Sequence, residues 1–187
     1  MTTELDDSVA LLSRALDQAG DVLAAIHRDK LSDSTPCGDW NVSTLIAHVV
    51  NGPRNFAAMT KGEEPDWSAT PPEIPSDWAG AFRSAADDLL HVWHQAGESA
   101  SPATVDWQTA EIAVHTWDLA RATGQSTDLD PEVGDRALEL MKASLKPEHR
   151  GSAADGFVFG EEVSVPDDAP VYDRLAAFAG RDARLSG

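Results

Sequence analysis

The 187 residues carry 32 acidic side chains against 14 basic ones, a formal charge of -18, with a hydrophobic content of 42%. A field of that sign repels polyphosphate and anionic membrane surfaces, which argues against nucleic acid and membrane as partners and disfavours small polyanionic substrates unless a local basic pocket overrides it. The single cysteine, Cys37, excludes an intramolecular disulfide and a Cys-rich zinc framework. No leader-like run opens the chain at Met1 to Asp7 and no stretch approaches the ~20 apolar residues of a membrane span, so the expectation is a cytoplasmic protein. At this length one domain is expected over residues 1–187, with a helical bundle over about 4–124 and an appendage over about 130–184.

Leu5, Val9, Leu12, Leu16, Ala19, Leu23 and Ile26 alternate steps of four and three, a helix seam that predicts a first helix from about Glu4 to Arg28. Ser32 to Trp40 is loop chemistry, and Asn41 is placed to cap a second helix whose seam runs Val42, Leu45, Val49, Gly52, Phe56 and Met59, ending near Gly62. The proline-rich stretch from Glu63 to Pro75 is a connector long enough to cover an opening. Ser76 or Asp77 then caps a third helix along Trp78, Phe82, Ala85, Leu89, Val92 and Ala96.

A fourth helix is predicted from about Thr104 to Thr123, closed by Gly124. Asp130 and Pro131 read as N-cap and first residue of a fifth, apolar at Val133, Ala137, Leu138, Met141 and Leu145. Beyond Pro147 the pattern predicts a short hairpin over Gly156 to Val165 and a last helix over Tyr172 to Ala179. The fold class expected is all-α, a four-helix bundle with additional C-terminal helices.

Glu111, His115 and Asp118 on the fourth helix lie four and three residues apart, so they share one stripe. Its neighbours include Trp107, Val114, Leu119 and Ala122, and a charged stripe facing a core needs pairing or a metal. A carboxylate and an imidazole at i, i+4 can converge on one cation at ~2.0–2.2 Å, and His48, mid-helix beside Leu45, Val49 and Gly52, is the best third donor. Spacing alone leaves two other readings open, a surface Glu–His pair and a hydrogen-bonded core histidine. His27, His91, His94 and His149 read as structural or solvated, and Cys37, with no basic neighbour in the sequence, as structural. Asp118 either orients a ligand imidazole or pairs with Arg121.

The segment Thr35-Pro-Cys-Gly-Asp-Trp-Asn-Val-Ser-Thr-Leu-Ile-Ala-His48-Val resembles the first ligand motif of the DinB-like family that includes mycothiol-dependent maleylpyruvate isomerase. Glu111-Ile-Ala-Val-His115-Thr-Trp-Asp-Leu-Ala-Arg-Ala-Thr-Gly124 resembles the second, and the tail from Val165 to Asp182 is similar to a compact actinobacterial branch. The resemblance spans Thr35 to Arg184 and implies a bundle with one divalent metal on His48, Glu111 and His115, zinc by donor type, with nickel, iron or cobalt accepting the same donors.

It further implies mycothiol as co-substrate, activated as thiolate for attack on an electrophilic small molecule by a transferase or isomerase. The isomerase carries a further C-terminal domain for which the residues after the fifth helix are too few, so the expectation stops at thiol-dependent chemistry in general. Trp67 and Trp78 are expected to help form the pocket. The competing readings are a non-catalytic, metal-stabilised binding or stress-response module and, third, a metal-dependent hydrolase.

Overall fold

A computed structural model describes residues 3–38, 40–65, 67, 74–97, 101–151, 155 and 159–182. Its helices are α1 (Glu4–Ala24), α2 (Val42–Thr60), α3 (Trp78–Ala96), α4 (Pro102–Ala122), α5 (Pro131–Ser144) and α6 (Val171–Phe178), an all-helical, DinB-like bundle. Their starts follow side-chain capping. Thr3 and Asp6 form a reciprocal capping box before α1, Asn41 accepts the Thr44 amide at 2.8 Å, Asp77 accepts that of Gly80 at 2.9 Å, and Asp130 precedes Pro131 at the start of α5.

The first helix stops at Ala24, short of Arg28, because His27 turns to extended backbone at ψ 149° and Arg28–Lys30 form a separate 3-10 turn. Ile26, between α1 and that turn, is nevertheless buried, which is why it fits the seam. Pro53 lies inside α2, one turn beyond His48, where it removes an N–H from the helix ladder.

The bundle is organised around α4, which packs against α1, α2, α5 and α6. A helix contacted on so many sides has no polar face, and α4 buries Val105, Ile112, Ala113, Trp117 and Ala120 together with Thr109 and Thr116. The two threonine hydroxyls donate to carbonyls four residues back, at 3.1 Å to Val105 and 2.7 Å to Ile112, so neither leaves a polar atom unmet in the core. Gly124, at φ 72°, ends the helix where it was expected.

The C-terminal region folds back on this frame. Tyr172 and Leu175 of α6 are fully buried in the hydrophobic core, the Tyr172 hydroxyl accepts from Gln18 of α1, and Trp117 of α4 donates its indole N–H to Asp173 at 3.0 Å. The predicted hairpin is not there among the described residues. Residues 156–158 lie outside them, Phe159 makes a single isolated bridge with Arg150, and from residue 160 to 165 no strand forms. Arg150 replaces a ladder: its guanidinium donates to the carbonyls of Gly160 at 3.0 Å and Phe178 at 2.6 Å and lies 4.3 Å from the Phe178 ring centroid.

Gly180 turns the chain out of α6 at φ 83°, and a Cβ there would meet the Gly160 Cα at 2.7 Å. Glycine at this position lets the two backbones touch and directs residue 181 inward.

Leu175→Ala opens a cavity in a fully buried position shared by α6 and the bundle. It is expected to cost about 2–5 kcal/mol in urea unfolding, and a loss below about 1 kcal/mol would mean that α6 unfolds independently of the bundle.

Candidate metal centre

Three of the residues singled out in the sequence meet in space. His48 Nε2 on α2 lies 3.0 Å from Glu111 Oε1 on α4, and His115 Nε2, one turn further along α4, lies 3.1 Å from the same oxygen. The two imidazoles stand edge to face with centroids 4.9 Å apart. All three donor atoms fall within 4.8 Å of one another. Two ~2.1 Å bonds at a tetrahedral angle separate their donors by ~3.4 Å, so a few tenths of an ångström of expansion would admit a zinc-type cation, and two imidazole nitrogens with one carboxylate suit its chemistry.

The surroundings grade from wet to dry. Glu111 keeps 33% of its side-chain surface exposed, His48 22% and His115 8%. Behind His115 the site is sealed: its Nδ1 lies 3.1 Å from Asp118 Oδ2, and the Asp118 side chain has no exposed surface at all. The Asp118 carboxylate accepts the Nδ1–H, which fixes the tautomer that leaves Nε2 free to face Glu111 and His48.

The guanidinium beside Asp118 is that of Arg181, sixty-three residues along the chain, in place of the Arg121 that the sequence offered. Arg181 donates to Asp118 at 3.3 and 3.4 Å, to the Ala179 carbonyl at 2.8 Å and to the Cys37 sulfur at 3.4 Å, and it is itself buried. Cys37 therefore has the basic neighbour that its own sequence context lacks. With His115 and Asp118 it makes a second cluster whose potential ligand atoms fall within 4.8 Å. Arg181 is the site residue that sequence reasoning missed, because nothing in its local pattern announces a buried arginine.

His27, His91, His94 and His149 are exposed and away from this cluster, as expected. His94 Nδ1 lies 2.6 Å from the Leu90 carbonyl, and His149 caps the 3-10 turn at Lys146. Of the two tryptophans assigned to the pocket, Trp67 belongs there, its ring centroid 5.9 Å from that of His48. Trp78 does not: it is buried in the core with its indole N–H donating to the Leu23 carbonyl at 2.8 Å. Trp40 lies closer than either, 5.0 Å from the His48 ring. Most of the connector before Pro75 lies outside the described residues.

Two cavities flank the three donors. One, of about 420 Å³, is lined by Cys37, Trp40 and Arg181, and the other, of about 440 Å³, by Phe56, Met59 and Trp67. His48, Glu111 and Trp107 belong to both.

A sequence profile described as the mycothiol maleylpyruvate isomerase N-terminal domain matches residues 12–120, the stretch that contains His48, Glu111, His115 and Asp118. The chain belongs to that family. Among curated proteins it is similar to two described as uncharacterized, MT0763 of Mycobacterium tuberculosis strain CDC 1551 and Rv0738 of strain H37Rv, each 34% identical over 192 residues covering 95% of this chain and 100% of the relative. No solved structure matches. The family is mycothiol-related by its description, and no helix among the described residues is long and apolar enough to cross a membrane.

Without a cation, Glu111 and His115 favour each other's charged forms. For Glu111, burial favours the neutral carboxyl, yet the His115 charge and hydrogen bonds from both imidazoles outweigh it and hold the group well below its ordinary value of 4.5. For His115, burial likewise favours the neutral ring but is outweighed by Glu111, Asp118 and Cys37, which lift it well above 6.5. The His115 contribution to stability is thus complete below pH 6.5 and lost as the pH rises through its raised folded value. The Glu111 contribution is present above pH 4.5 and lost only as the pH falls through its lowered value. In the presence of chelator, the melting temperature of the native protein relative to His115→Gln is expected to decline as the pH is raised above 6.5 through the folded value, and a difference that stays flat would contradict the pairing.

Arg181→Met leaves the fully enclosed Asp118 without its cation. The expected cost is about 3–5 kcal/mol, read by urea denaturation.

Proposed function

We propose that the protein is a thiol-dependent transferase or isomerase that holds one divalent cation on His48, Glu111 and His115 and takes mycothiol as its thiol substrate. The observation that carries this reading is the convergence of the three donors on one point, with Asp118 fixing the His115 ring from behind. Membership of a mycothiol-related family supports the choice of thiol. Zinc is the cation favoured by two imidazoles and a carboxylate.

Of the two clusters that share His115, the one with Cys37 and Asp118 is the poorer cation site. Arg181 already lies 3.3 Å from Asp118 and 3.4 Å from the Cys37 sulfur, so a dication there would meet a fixed positive charge. Among the described residues, Glu111 forms its ion pairs with the two imidazoles, at 3.0 Å to His48 and 3.1 Å to His115. Cys37 in this reading is a wall of the cavity and a partner of Arg181, not the nucleophile.

A divalent cation bound by these residues supplies Lewis acidity that keeps a thiol ionised at neutral pH. A free thiol of pKa ~8.5 is about 3% thiolate at pH 7, so complete ionisation raises the reactive fraction only about 30-fold, and nucleophilicity falls as the pKa falls. The larger part of any acceleration then comes from the protein holding thiol and electrophile in contact, where effective molarity contributes several kcal/mol. The chain is built for that holding: α2 and α4 fix His48 and Glu111 where two cavities share them as lining. Asp118 keeps the His115 ring from turning, and Arg181 holds Asp118 in place.

Metal analysis of the purified protein is expected to give about one equivalent per chain, lost in His48→Ala and His115→Ala. In Asp118→Asn, metal affinity is expected to fall about 10–100-fold because the imidazole loses its orienting acceptor. Mycothiol is expected to change the visible spectrum of the cobalt-substituted protein. Folded protein without metal would refute the site, and a cobalt spectrum blind to thiol would leave a metal-stabilised module without catalysis.

A further inference from the structure

The large apolar side chains that the described residues leave exposed are Trp40, Met59, Trp67 and Trp107, and all four line one or other of the two cavities. Apolar surface left in water costs about 25 cal/mol per Å², and here it is gathered at one place. The cavity bounded by Phe56, Met59, Trp67 and Trp107 has no lysine or arginine among its described lining, while Glu111 stands at its inner edge. A cation held on His48, Glu111 and His115 would be balanced by Glu111 and a bound thiolate, so a carboxylate entering this cavity would lose hydration with no net positive charge in return.

One polar group in this wall lacks a partner. Gln108, 3% exposed, sits on α4 one turn before Glu111 and lines the cavity. Its Oε1 accepts the Trp93 indole N–H at 2.8 Å. An indole nitrogen only donates, so the amide oxygen must face Trp93 and the Nε2 must face away. That nitrogen has no hydrogen-bond partner among the described residues, a costly state for a buried donor unless something else meets it.

We infer that this cavity binds the second substrate, an uncharged molecule with an apolar or aromatic body and a hydrogen-bond acceptor, seated between Trp67 and Trp107 with its acceptor toward Gln108. The assignment rests on the thiol-transfer reading for calling this molecule the electrophile, but the binding itself needs neither metal nor thiol. Mycothiol then approaches from the other cavity, beside Trp40 and Cys37. Arg181 lines that side too, but its guanidinium is committed to Asp118, so neither cavity offers a spare lysine or arginine among its described lining for an anionic substrate.

The test is a fluorescence titration of the full chain with N-phenyl-1-naphthylamine, an uncharged apolar dye, in zinc-loaded and chelated protein. The dye is expected to bind in both states and, in the chelated protein, to be displaced by methyl cinnamate, an uncharged unsaturated ester, at least about tenfold better than by cinnamate. Trp67→Ala and Trp107→Ala, at exposed positions, are each expected to weaken the dye by about fivefold or more through lost apolar contact. Gln108→Met and Gln108→Glu, the second keeping an acceptor for Trp93, are expected to weaken methyl cinnamate several-fold relative to the dye, which carries no carbonyl.

Failure of the dye to bind, equal displacement by the anion, or dye affinity unchanged in both tryptophan variants would overturn the inference. A chelated protein that binds dye and ester while metal analysis fails would refute only the thiol-transfer reading. A metal-loaded, thiol-responsive protein that ignores both probes would refute only this one.

Discussion

The burial of an ionic chain inside the helix that everything else packs around constrains this molecule most. Asp118 has no exposed surface, and it is held between the imidazole of His115 and the guanidinium of Arg181. Neither neighbour is dispensable, because an enclosed carboxylate deprived of its partners carries a desolvation penalty of several kcal/mol. The chain runs from the C-terminal tail, through the core, to the edge of the candidate metal site. A packing requirement and a chemical one are thereby met by the same three side chains.

That arrangement explains why the tail after α5 folds back instead of trailing away. Arg181 reaches Asp118 only because α6 docks through Tyr172 and Leu175, Trp117 reaches Asp173, and the Gly160–Gly180 contact brings two backbones close enough to turn residue 181 inward. Arg150 fixes the same turn from the other side through the carbonyls of Gly160 and Phe178. The appendage closes one cavity wall and supplies the last member of the ionic chain. The matched family profile ends at residue 120, before any residue of this appendage.

The two cavities beside the candidate site differ in their walls. One is lined by Cys37, Trp40 and the fully committed Arg181, and the other by an almost wholly apolar wall with one unmet amide nitrogen. Although the chain as a whole is strongly acidic, its local cations are spent on internal pairs such as Arg181 with Asp118 and Arg136 with Asp106. With no lysine or arginine among its described lining, the wall of Phe56, Met59, Trp67 and Trp107 selects by shape and apolar contact.

The helices were legible from the sequence because periodicity and capping are local. The seams, Asn41, Asp77, Asp130 and Gly124 each act within a turn of where they stand, and the structure uses them so. Glu111 and His115 were legible for the same reason, as a stripe on one helix, and His48 through its position and the motif around it. What only the tertiary structure decided is long-range: which guanidinium closes on Asp118, which tryptophan enters the pocket and which the core, and how the stretch after Pro147 is held without a hairpin. Arg121 was the nearer cation in sequence, but it faces outward on α4, whereas Arg181 arrives from a segment whose path depends on α6 docking. A local pattern records what a residue's neighbours along the chain demand of it, and a buried ion pair between residues sixty-three apart leaves no such record.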